Sequence, residues 1–292
     1  GIMHLVDDAK QLTVIDHFAQ KKQTVELGGS SLNAIRTLAS LGAKTSFAGS
    51  VGRDSYGQLI DKRLNEIGIR GSLQHVAAHT GICFILVTPD GERTMNTNLG
   101  ASCLFDESIV PEQDIKQAKI FHFAGYQWAN PSQIKAIRRA LDIAKANDTL
   151  ISFDLADPFV VRANRDAFIE IIKDYADIVF SNREETKLLF DSTPEAAANF
   201  ITDAGAIAAI KLGAEGALIG HGTRRIVVKP VPTQVVDTTA AGDMFAAGFL
   251  YGMCQNKSLE VCGRMAAEMA SDVISRLGAT VSSEALKSVQ KL

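Results

Sequence analysis

The chain has 292 residues, 46% of them hydrophobic and 22% charged, with a net charge of −3. That is the balance of a folded globular protein long enough for one large core, and there is no basic surplus of the kind that serves nucleic acid or acidic membrane. Four cysteines without CxxC spacing and six scattered histidines without HExxH argue against a disulfide framework or a structural zinc.

No apolar run approaches the roughly 18–20 residues of a membrane span. Gly1–Leu5 lacks a basic segment followed by an apolar one, so a cytoplasmic protein with no membrane partner is expected. Asp8–Gln20 reads as a helix on Leu12, Ile15, Phe18 and Ala19. Gly28-Gly29 then precedes a run containing Asn33; paired glycines let a ligand approach the backbone, although a GG dipeptide alone more often marks a turn. Thr45–Val51 reads as a strand and Gly57–Ile67 as a helix. Gly81–Thr88 and Glu92–Asn98 read as a hairpin turned by Pro89-Asp90-Gly91, either a cover over a site or a plain edge. Strands follow at Lys119–Ala124, Thr149–Leu155, Ile178–Ser181 and Ile207–Leu212, with helices at Pro131–Ala146 and Ala167–Tyr175 and from about Ala241 and Leu259. This alternation predicts an α/β fold: a three-layer sandwich with a mostly parallel central sheet, helices on both faces and a small β-lid.

The densest chemical signal is Asp237-Thr238-Thr239-Ala240-Ala241-Gly242-Asp243, just before an amphipathic stretch with Met244, Phe245, Phe249, Leu250 and Met253. Small residues allow a tight turn into a helix start, where unpaired N–H groups and the helix dipole favour an anion. A carboxylate there repels phosphate, so its use is as a proton acceptor from an alcohol attacking a γ-phosphoryl group. The plainer reading of such an Asp is a helix cap.

The string resembles the D-T-x-[GA]-A-G-D signature of the ribokinase-like (PfkB) carbohydrate kinase family. Gly28-Gly29 with Asn33, the run Gly49–Gly57, Asn182-Arg183-Glu184-Glu185 and Lys211-Leu212-Gly213-Ala214-Glu215-Gly216 resemble further family elements in order and spacing. The resemblance implies Asp243 as the catalytic base and Ala240, Ala241 and Gly242 as an anion hole. It implies Gly28, Gly29, Asn33 and Tyr126 at the acceptor, and Asn182, Lys211, Gly213 and Gly216 at ATP. Glu185 would act on Mg²⁺ through water, with Asp154 nearby, and a monovalent cation, K⁺, would sit near Asp237, Thr239, Gly278 and Ser282. The expected whole is a single domain over 1–292, with a lid from roughly 1–29 and 80–100, and a homodimer through the lid as an option.

The family's opening strand, G-N-x-x-x-D, has no counterpart. Asp7 lies only 21 positions before Gly28, and Gly1–Gly29 better resembles a short lid strand, a helix and a strand into the GG. The expectation is that the first strand and its hydroxyl-binding Asp are missing from this sequence. For the acceptor, Phe121–Trp128 and Asp154–Phe159 resemble adenosine-kinase-like members, with Tyr126, Trp128 and Phe159 able to stack on a purine or else to pack beneath the lid. Adenosine leads, a ribokinase- or fructokinase-type sugar is the alternative, and a weakly catalytic ligand sensor is the reading from another class. A dinucleotide oxidoreductase fails, because no GxGxxG follows the first strand.

Overall fold

The computed structural model describes residues 2–87 and 93–292. In chain order, β1 (Ile2–Leu5) and α1 (Asp8–His17) lead through residues 18–29 to α2 (Ser30–Ser40). β2 (Ser46–Gly52), α3 (Ser55–Glu66) and β3 (Arg70–Val76) form a β-α-β unit, followed by β4 (Ile82–Val87) and β5 (Arg93–Asn98). Then come α4 (Glu112–Gln117), β6 (Ile120–Ala124), α5 (Pro131–Ala146), β7 (Leu150–Asp154), α6 (Pro158–Ala163) and α7 (Arg165–Asp174). β8 (Ile178–Asn182), α8 (Arg183–Phe190), α9 (Pro194–Asp203), β9 (Ile207–Lys211), β10 (Ala217–His221) and β11 (Arg224–Val228) complete the strands. Three helices close the chain: α10 (Ala241–Cys254), α11 (Leu259–Ile274) and α12 (Ser283–Lys291). No helix among the described residues is long and apolar enough to cross a membrane.

The large sheet runs β11-β10-β9-β8-β7-β6, parallel from β6 to β9 and antiparallel from β9 to β11. Side chains alternate across it, and the alternation builds two cores. Val179, Ala208 and Ile210 face α5 to α9, with Ile137, Leu141, Phe168, Leu189 and Ile201. Ile178, Phe180, Ile207 and Ala209 face α2 and α10 to α12, with Leu38, Phe245, Phe249, Met265 and Met269. Helices therefore cover both faces, as the pattern of buried strands requires.

α10 has almost no solvent face: Met244 to Gly252 are all buried. Its glycines permit contact with α11. A Cβ on Gly248 would lie 2.6 Å from the Met265 carbonyl oxygen, and one on Gly252 2.8 Å from Cys262 Sγ.

Two smaller sheets flank this body. β1, β5 and β4 form one, with β1 parallel to β5 and the β4–β5 pair antiparallel. Helix α1 packs on it, with Gln11 Nε2 donating to the Ile82 carbonyl and Phe18 beside Phe84. The expected turn Pro89-Asp90-Gly91 lies outside the described residues. β2 and β3 pair in parallel, and among the described residues neither joins the large sheet. The strand expected to run into Gly28-Gly29 does not form: residues 21–29 carry no strand, and Val25 is 56% exposed with no neighbouring strand to cover it.

Candidate active site

The chemistry gathers at the carboxyl edge of the parallel strands, where ligands of open α/β sheets bind. Asp154 ends β7, Asn182 ends β8 and Lys211 ends β9, with Asn182 in register with Lys211. Asp154 is 3% exposed, and its two oxygens lie 3.4 and 3.3 Å from Lys211 Nζ. Burial works against the Lys211 charge, but Asp154 and Glu185 outweigh it and raise the ammonium above its ordinary value.

Asn182 and Glu185 satisfy each other at the start of α8. Asn182 Oδ1 accepts from the Glu185 amide at 2.9 Å, while Glu185 accepts from the Asn182 amide at 2.8 Å and from Asn182 Nδ2 at 2.6 Å. This is a capping box, so the helix-cap reading of Asn182 describes its present partners. Burial pushes the Glu185 carboxyl up from 4.5 to about 7; Lys211 opposes the rise and Asp154 adds to it. With its folded value above its unfolded one, this group favours folding when protonated. Its contribution is complete below about pH 4.5 and lost as pH rises through about 7. Glu185→Gln, which can keep the cap, is expected to flatten the decline of unfolding free energy across that window, measured by urea titration at its two ends.

α10 begins against the same cluster: a Cβ on Gly242 would lie 3.3 Å from Lys211 Nζ. Ala240, the residue before the helix, is left-handed at φ 60° and ψ 10°, a conformation that costs an alanine about 1 kcal/mol. The Ala241 amide donates to the Thr238 carbonyl at 3.3 Å. Gly242 and Asp243 stand second and third in the helix, too early for an intrahelical carbonyl to reach their amides. The expected trio Ala240–Gly242 is thus corrected at Ala241, and the Asp243 amide takes its place among the open donors.

Asp243 is held from across the helix interface. Ser30 Oγ donates to Oδ1 at 2.6 Å and Asn33 Nδ2 to Oδ2 at 2.8 Å, both from the first turn of α2. Burial raises its pKa and Asp154 adds to the rise, while Ser30, Asn33 and Lys211 work the other way. Gly29, at φ 103°, makes the left-handed entry to α2, and a Cβ on Gly28 or Gly29 would meet nothing within 4 Å. Gly28, Gly29, Asn33 and Asp243, expected at the acceptor and as the base, therefore lie together.

The profile described as "pfkB family carbohydrate kinase" matches residues 2–286. The chain belongs to this family. It is a kinase acting on sugars or nucleosides. An "Uncharacterized sugar kinase" of Archaeoglobus fulgidus is 32% identical over 83% of this chain and 96% of its own length. Adenosine kinase 1 of Arabidopsis thaliana is 26% identical over 94% and 86%. The crystal structure of adenosine kinase from Sinorhizobium meliloti superposes with a TM-score of 0.90 at 32% identity, covering 99% of this chain and 89% of that one. A probable sugar kinase from Rhizobium etli gives 0.91 at 33%, covering 99% and 88%.

Other expected positions in the kinase divide. Gly213, at φ 64°, stands open beyond Lys211, but a Cβ on Gly216 would overlap the Val228 carbonyl oxygen, so packing against β11 alone demands that glycine. Asp237 accepts from the Thr239 amide at 2.6 Å and the Gly278 amide at 3.1 Å, which brings together three of the four residues expected near a monovalent cation. Ser282 belongs elsewhere: its amide and hydroxyl both donate to Asp272. Trp128 is 4% exposed beneath the Arg138 guanidinium and cannot stack on a ligand. Tyr126 lies 3.5 Å from Asp157, the cap of the helix that carries the exposed Phe159.

Ser30 and Arg36 were not foreseen. Arg36 donates to the Ala279 carbonyl at 2.7 Å, tying α2 to the loop after α11, and burial lowers its pKa against the pull of Glu26 and Asp243. Both stand three positions from Asn33, on one helix face; that spacing was the available signal.

Proposed function

We propose that this kinase transfers the γ-phosphoryl group of ATP to the hydroxymethyl group of a nucleoside, with adenosine the first acceptor. The observation that carries this reading is a half-buried carboxylate, Asp243, in the first turn of a helix whose Gly242 and Asp243 amides are open. The acceptor hydroxyl gives its proton to Asp243 as its oxygen bonds to phosphorus, and the bond to the β-phosphate oxygen breaks to release ADP. The Gly242 and Asp243 amides and the Lys211 ammonium stabilise charge on the transferred group. Gly28, Gly29 and Asn33 receive the acceptor, and Gly213 borders the nucleotide.

Among the described residues no group of three or more His, Cys, Asp or Glu is arranged to hold a metal. Carboxylate oxygen is nevertheless the donor Mg²⁺ prefers, and it keeps several waters. Glu185 and Asp154 would meet Mg²⁺ through those waters, and the ion would neutralise phosphate charge. A K⁺ site in this kinase would rest on Asp237, Thr239 and Gly278, without Ser282. The β1-β5-β4 sheet with α1 acts as a lid that excludes water from the acceptor.

The nucleoside preference rests on the adenosine kinases among the relatives and on Tyr126 and Phe159, each able to contribute roughly 0.5–1.5 kcal/mol to stacking beyond buried area. ADP release is expected to be fastest with adenosine in a panel of nucleosides and of sugars including ribose and fructose. A sugar turned over in preference to every nucleoside would replace this acceptor assignment, and the sugar kinases among the relatives make that the outcome to exclude.

A further inference from the structure

Asp243 cannot be aimed by its own helix. It is the third residue of α10, and both carboxylate oxygens instead receive donors from α2, a segment more than 200 positions away in sequence. Asn33 is already assigned to the acceptor. Ser30 is not: its hydroxyl hydrogen goes to Oδ1 at 2.6 Å, the shorter of the two contacts. Ser30 is the first residue of α2, directly after left-handed Gly29, so the turn that opens the acceptor side also fixes the serine.

The two donors differ in what they can do. The Asn33 amide group is planar and presents its hydrogens in one plane. A serine hydroxyl turns about its C–O bond and both donates and accepts. Oδ1 can therefore be held by Ser30 before the acceptor arrives, and Ser30 can turn when a second hydroxyl comes to the same oxygen.

We infer that Ser30 is a positioning residue for phosphoryl transfer, which aims the Asp243 carboxylate from the acceptor-side helix and keeps it charged until the acceptor hydroxyl engages it. This rests on the role proposed for Asp243 as base. A donor to a carboxylate favours its ionised form, so losing Ser30 Oγ leaves burial and the negative Asp154 less opposed. The groups facing Asp243 are Asp154 on β7, Lys211 on β9, Arg36 on α2 and the Tyr126 hydroxyl after β6. All of them remain when Ser30 is changed.

The experiment uses the full chain with ¹³C-carboxyl aspartate, in wild type, Ser30→Ala and Ser30→Thr. The Asp243 signal is assigned by its loss in Asp243→Asn, and thermal melts establish that each variant is folded. In Ser30→Ala the Asp243 titration is expected to move up by about one to two pH units, the worth of one hydrogen bond to a charged group. The acid limb of kcat should move the same way, with kcat down about tenfold at neutral pH and KM for acceptor and ATP within about threefold. Ser30→Thr, which keeps the hydroxyl, should restore most of both. An unmoved Asp243 titration in Ser30→Ala overturns the inference, as does a threonine variant no better than alanine. Should wild type turn over no acceptor at all, the proposed reaction falls and the catalytic role of Ser30 falls with it, whereas turnover in wild type with an unmoved carboxyl titration in Ser30→Ala overturns the Ser30 inference alone.

Discussion

Asp243→Asn is expected to lower kcat by about 10²–10⁴-fold, the range for removing a general base, while ATP affinity changes by no more than about threefold. Asparagine keeps the shape and still accepts from Ser30 Oγ, the donor at 2.6 Å. It cannot take a proton, and its amide nitrogen meets the Asn33 amide nitrogen unless one of the two flips. The loss should therefore fall on turnover. ADP-release kinetics give kcat, and calorimetric titration with a non-hydrolysable ATP analogue gives the affinity. Near-wild-type turnover would remove Asp243 from the reaction. A loss of nucleotide binding equal to the loss of kcat would instead make it a structural cap of α10.

Lys211→Met should cost both stability and turnover, and the two losses should separate. The ammonium lies 3.3 Å from Asp154, whose side chain is 4% exposed against 17% for the lysine. Removing it leaves Asp154 and Glu185 as neighbouring buried acids with no cation between them. Breaking a buried pair in this way costs about 3–5 kcal/mol, read from urea denaturation. Adding Asp154→Asn to Lys211→Met removes one of the two acids and should recover most of that stability. Turnover should stay low in the double variant, because the cation beside Gly242 is still missing where the phosphoryl group is to pass. Recovery of kcat together with stability would reduce Lys211 to a charge balance for Asp154.

The parallel part of the large sheet, β6 to β9, was legible because its central strands are buried on both faces, whereas the antiparallel pair β10 and β11 was not expected. The runs Ile178–Ser181 and Ile207–Leu212 open on unbroken apolar stretches, Ile178–Phe180 and Ile207–Ile210, and the observed strands differ from the expected ones by one residue at an end. β3 was not legible: Arg70, Gly71, Ser72, Gln74 and His75 give no apolar alternation, and its place is set by pairing with β2. The placement of Asp243 at a helix start was legible because a short string holds both the small-residue turn and the acid. Its donors were not, since Ser30 and Asn33 reach it through the packing of α2 on α10. Gly216 and Trp128 show the converse. Both have the right residue type for a ligand, and one is required by a neighbouring carbonyl while the other lies beneath an arginine.

The burial of α10 bears on how this enzyme could be redesigned. Its nine consecutive buried residues and the glycine contacts with α11 leave the helix no independent adjustment, so a change in its position needs a matching change in Met265, Ala266 or Cys262. The segments bearing Tyr126 and Phe159 carry no such obligation to α11. On the proposed placement of acceptor and phosphate, engineering of acceptor preference belongs in those segments, where side chains can be exchanged while α10 keeps its alignment.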